Sequence, residues 1–184
     1  MQKAFNSPSL SIPVEKQQWF AVRTQLKCEK QVAVYFERAG IECYLPLQRY
    51  TRQWGRRKVE VEIPLISNYI FVNINRSEYP KVLETEFVYG FLVFGGLLSP
   101  IPECELLLLK RILGEYKDID VKSLEFEEGE EIEILAGKLT GLRAKLVKQK
   151  GKNKVLVELQ NIGYGLYLTI ETGMIQKIKS ANTA

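Results

Sequence analysis

The sequence predicts an α+β chain in two parts: an antiparallel sheet flanked by helices, then a linker, then a small β-barrel. Three observations carry this. Up to Gly114, short apolar strands alternate with helical stretches. After Ser123 every apolar run is short and β-like, with glycines between the runs. Between them EYKDIDVKS, Glu115 to Ser123, holds few apolar residues and no period.

Trp19 to Thr24 (WFAVRT) reads as a strand. Lys27 to Ala39 reads as an amphipathic helix, because Cys28, Val32, Tyr35, Phe36 and Ala39 share one face and Gly40 ends it. Ile41 to Leu47 is a strand limited by Pro46. YTRQWGRRKVEVEIP then gives two extended arms around Gly55, a projecting hairpin rich in arginine. Asn68 to Ile74 (NYIFVNI) puts Tyr69 and Phe71 on one face and Ile70 and Val72 on the other. Ser77 to Glu84 makes a short helix, and Val88 to Phe94 a strand closed by Gly95-Gly96. SPIPECELLLLKRILG is a helix with Pro102 in its first turn, acids at its start, bases near its end and Gly114 as its stop.

The predicted division is therefore a flexible arm at 1–18, a first domain at 19–114, a linker at 115–124, a barrel domain at 125–180 and a tail at 181–184. In the barrel, EEIEIL, RAKLVKQ, KVLVELQ, LYLTIE and MIQKI are the strands, with a turn at Gly163-Tyr164-Gly165 between the third and fourth. Strands this short bury a core by curling closed.

Composition excludes whole classes of function. The 184 residues are 46% hydrophobic and 26% charged, the range of a folded globular chain. No histidine is present, which removes Ser/His/Asp and Cys/His nucleophile sets and HExxH zinc sites. No phosphate-binding glycine loop occurs, and Cys28, Cys43 and Cys104 match no zinc spacing, so neither metal, cofactor nor catalytic activity is expected. No apolar run suits a membrane helix, and the first residues are not a signal peptide. A cytoplasmic setting is expected.

Charge is segregated. Glu15 to Lys58 holds ten basic against four acidic residues, while Val59 to Asp118 holds five against nine. A basic side of this kind is a nucleic-acid footprint or a solubilising surface.

WFAVRT, GIECYLP, NYIFV after a basic hairpin, and FGGLLSPIPECE together resemble the N-terminal domain of the NusG family. GEEIEILAGKLTGLRAKLVKQKGKNKVLVEL resembles the SH3-like KOW barrel that follows it there. The hairpin, the FGG stretch and the N-terminal extension look closer to the specialised RfaH and UpxY antiterminators of polysaccharide operons than to general NusG. The resemblance implies a transcription elongation factor acting as a monomer. Its N-terminal domain would dock on the clamp helices of the largest RNA polymerase subunit and touch upstream or non-template DNA, suppressing pausing and termination. Its barrel would recruit a ribosomal protein or Rho.

Carried onto this chain, the polymerase groove comprises Tyr69, Phe71, Phe91, Phe94, Leu106 and Leu109; the alternative is that these six are core. Arg23, Lys27, Lys30, Arg52, Arg56, Arg57 and Lys58 form the DNA side, where phosphate contact needs only charge and reach. Trp54 either stacks on an unpaired base or shields the turn. Ile162 stands before Gly163 where the family has an exposed phenylalanine, and is the expected KOW partner contact. Ala144 stands where the KOW turn usually carries glycine.

Overall fold

The computed structural model describes residues 12, 14–94, 97–117, 119–123, 129–137, 139–149 and 152–178. They fall into two compact units, Met1–Leu47 with Pro64–Glu103, and Gln48–Ile63 with Cys104–Ala184. The expected boundary at 114 is thereby moved. The hairpin arms and nearly all of the last helix group with the C-terminal part, although the chain passes through them earlier.

The first unit holds β1 (Gln18–Thr24), α1 (Glu29–Arg38), β2 (Glu42–Tyr44), β5 (Tyr69–Ile74), α2 (Tyr79–Glu84) and β6 (Val88–Phe91). Two short strands follow, β7 (Val93–Phe94) and β8 (Leu97–Leu98), and pair with each other. Between β2 and β5 the chain leaves as β3 (Leu47–Trp54) and returns as β4 (Arg57–Pro64). The main sheet has the order β2-β5-β1-β6, antiparallel throughout.

Alternation along β5 decides the architecture. Ile70, Val72 and Ile74 point to one face, with Phe20 and Val22 of β1, Val32 and Phe36 of α1, and Val82 of α2. Helix α1 exists to cover that face: Val32 and Phe36 are one turn apart, and both are fully buried. Gly40 ends the turn at φ 72, a left-handed conformation that glycine takes without strain. At the other end, Glu29 is buried and its carboxylate accepts the Asn68 N–H at 2.8 Å, pinning the helix start to the lead into β5.

Two expectations change here. Pro46 splits the expected strand 41–47, since it has no N–H to pair, and Leu47 opens β3 instead. Ile12, expected in a loose arm, is buried in the core of this unit. Residues 1–11 and 13, the expected strand closure at Gly95-Gly96 and the tail lie outside the described residues.

The second unit holds the hairpin, α3 (Glu103–Glu115, from its second residue) and a six-stranded antiparallel sheet. That sheet comprises β9 (Ile119–Ser123), β10 (Glu130–Ile134), β11 (Arg143–Gln149), β12 (Lys152–Leu159), β13 (Tyr164–Leu168) and β14 (Ile175–Lys177), in the order β14-β10-β11-β12-β13-β9. One face is apolar: Ile132, Ile134, Val155, Val157, Leu159, Leu166 and Leu168 are all buried. On the other, Val147, Leu156 and Tyr167 form a small cluster.

Strand β9 is a correction, because its residues were expected to be linker. Ile119 and Val121 alternate toward the apolar face, and β9 pairs with β13 from Ile119↔Leu168 to Ser123↔Tyr164. The turn expected at Gly163-Tyr164-Gly165 is also displaced. It closes at Gly163, whose N–H donates to the Leu159 carbonyl at 2.8 Å, while Gly165 is buried inside β13 opposite Glu158. No helix among the described residues is long and apolar enough to cross a membrane.

Candidate functional site

The face of the first sheet opposite α1 and α2 is aromatic. Phe71 lies opposite Ala21 on one side and Tyr44 on the other, so the three side chains share that face. The Phe71 and Tyr44 rings stack at 6.3 Å. Burial pushes the Tyr44 phenol up to about 12. Tyr69, on the same face and opposite Arg23, is half-buried.

The six expected groove residues separate into different environments. Phe71, Leu106 and Leu109 are buried. On α3, Leu106, Leu109 and Ile112 make its buried stripe, and Leu107 is 51% exposed. Phe91 is a correction: it packs edge-on to Phe20 at 6.1 Å and stacks on Tyr79 at 4.8 Å, against the helix-covered core. The Phe94 side chain lies outside the described residues. Tyr69 is thus the groove candidate that joins the aromatic face with partial exposure. Tyr44 was missed, since a strand of three residues offers no period to read.

The basic residues divide between the units. Arg23, Lys27 and Lys30 are exposed in the first, at the end of β1, in the following turn and on α1. Lys27 holds a left-handed φ of 65 in that turn. Arg52, Trp54, Arg56, Arg57 and Lys58 are exposed in the second, on the hairpin, with Trp54 at 76% exposure. Gly55 and Arg56 form its two-residue turn, and Gly55 alone carries a positive φ, 61. Glycine at the first central position matches the twist of the two arms.

Ile162 is a second correction. It is 3% exposed, so it offers a partner no surface as the protein stands. Its neighbour Asn161 donates twice to one Glu105 oxygen, from its backbone N–H at 3.1 Å and from Nδ2 at 2.7 Å. This holds the β12–β13 turn to the first turn of α3.

Such a chain is a two-part protein: an α+β module whose sheet has one core face and one aromatic face, then a module of antiparallel strands. A family model described as transcription termination factor NusG matches residues 17–110, just over half of the sequence. The chain belongs to the NusG family. Among solved structures it is similar to Thermotoga maritima NusG, described for its domain interaction, at 22% identity and a TM-score of 0.54, over 90% of this chain and 99% of that one. That likeness is one of fold. Two chains of an MjSpt4:Spt5 complex, in conformations B and A, align at 21% identity with TM-scores of 0.32 and 0.28, over 87% of this chain and 96% and 97% of theirs. No curated protein sequence matches the chain.

Proposed function

We propose that the protein is a transcription elongation and antitermination factor of the specialised RfaH and UpxY kind, serving a polysaccharide-type operon. It docks on the clamp helices of the largest RNA polymerase subunit, touches non-template or upstream DNA with its basic residues, and suppresses pausing and termination. The six-stranded sheet is read as an SH3-like KOW barrel that recruits a ribosomal protein or Rho, through a surface other than buried Ile162. The protein works in the cytoplasm as a monomer, without cofactor or catalysis.

Membership of the NusG family supports the transcriptional role. The observation that carries the docking is the aromatic face of the first sheet, where Tyr69 stays half-exposed beside Phe71 and Tyr44. Interface anchors are aromatic side chains of this kind, with an apolar body and one polar tip. The arginine-rich hairpin supports the specialised reading. The general family description supports a second one, a NusG-type factor serving most genes. Single-round transcription on operon and unrelated templates separates them, since the specialised factor acts on one class alone.

Tyr69→Ala tests the docking. A hot-spot aromatic contributes about 2 kcal/mol or more, so binding to a clamp-helix fragment should weaken about thirtyfold. The thermal melt should stay near normal, and terminator read-through should fall. A stable variant that still binds and reads through would remove Tyr69 from the interface.

A further inference from the structure

The two faces of the β3–β4 hairpin differ in chemistry. Its two-residue turn at Gly55-Arg56 sets Trp54 opposite Arg57, and the arms pair outward from there. The ion pair between Arg49 Nε and Glu62 Oε1, at 3.0 Å, falls in the same register. Side chains alternate from it. One face carries Arg49, Thr51, Gln53, Lys58, Glu60 and Glu62, so two cations meet two carboxylates. The other carries Tyr50, Arg52, Trp54, Arg57, Val59 and Val61, with two guanidiniums and no carboxylate.

On that second face Trp54 is 76% exposed, Val59 41% and Tyr50 39%. Arg52 and Arg57 flank the indole and are exposed as well. Guanidiniums without a balancing acid attract phosphates, and a bare ring beside them offers a stacking platform. A duplex keeps its base faces inside the stack and has no use for such a ring. A strand with unpaired bases supplies both partners at once.

The geometry points to the Arg52–Trp54–Arg57 face as a binding site for single-stranded nucleic acid, with Trp54 stacked on a base and the two arginines on flanking phosphates. The charge-balanced face, where Arg49 pairs with Glu62, takes no part in this stacking contact. This rests on the reading that the hairpin meets nucleic acid, and adds which face does so and to what form of strand.

The test is fluorescence anisotropy of the full chain with a labelled oligo-dT, an oligo-U of equal length, and the matching duplex, across a salt series. Trp54→Ala should weaken single-strand binding about tenfold and leave duplex binding within about twofold. Arg52→Ala and Arg57→Ala should each flatten the single-strand salt slope by about 0.7, and Arg49→Ala, on the charge-balanced face, should leave it unchanged. Binding of either single strand supports the inference, and the tighter of the two assigns it to DNA or RNA. Thermal melts of each variant exclude misfolding.

Equal losses on single strand and duplex, or an Arg49→Ala effect as large as that of Arg57→Ala, would overturn the site. Wild-type protein that binds duplex as tightly as single strand, with Trp54→Ala silent, would overturn it while nucleic-acid contact stands. Wild-type protein that binds neither would overturn both.

Discussion

Strand β5 and the arms of the β3–β4 hairpin share one extended backbone and meet opposite fates. Four of the six β5 side chains are buried, whereas none is on β4 and Gln48 alone is on β3. Strand β5 lies between β1 and β2, with hydrogen-bonded neighbours on both edges and apolar groups on both faces. The hairpin forms its own two-stranded sheet. A lone hairpin is marginal in water, so turn geometry and cross-strand pairs hold its register rather than a core. Packing therefore constrains what β5 can be, and solvent leaves the hairpin free to carry chemistry.

The sharpest way to break this contrast is Phe71→Ala. Its ring is fully buried on the face away from the main core. The change should cost about 3–5 kcal/mol in urea unfolding. A loss under about 1 kcal/mol, as expected of an exposed aromatic, would mean that face is not packed.

Tyr44 gives a gentler probe of the same packing. Its phenol is pushed up to about 12, so an absorbance titration should show a phenol ionising well above the ordinary value of about 10. The sign follows from burial favouring the neutral form. The stabilisation is complete below about pH 10, the unfolded value, and is lost as pH rises through about 12. A titration with no such late phenol would contradict the stacked, half-buried ring.

The smallest effect belongs to the hairpin. Arg49→Ala removes the ion pair with Glu62, whose side chains are 74% and 39% exposed. Stability should change by no more than about 0.5 kcal/mol, because solvent screens the pair. A larger loss in thermal melting would show the hairpin supporting the fold.

Where burial followed a period, the sequence was readable. NYIFVNI announced both faces of β5, and Gly55 between arginine-rich arms announced the hairpin. Strand β9 escaped because IDVKS offers two apolar side chains, and pairing with β13 supplies the rest of its stability. The β13 boundary was misplaced because Gly165 reads as a turn residue but sits buried in a strand. Of the site, the exposed hairpin cations were legible from charge alone. Phe91 and Ile162 were not, since their burial depends on neighbours far along the chain: Phe20 and Tyr79 for the first, and for the second a turn tied to Glu105.

Strand β9 also sets how much slack the connection carries. From Glu115, the last residue of α3, to Ile119 the chain runs four steps, a contour of about 14 Å. Peeling β9 off would release five residues and about 17 Å more. It lies at the edge of its sheet with one paired neighbour, clasped by buried Ile119, by Lys154 reaching Asp120, and by Lys122 over the Tyr167 ring at 5.0 Å. The tether between helix and sheet thus stays short for as long as the clasp at β9 holds.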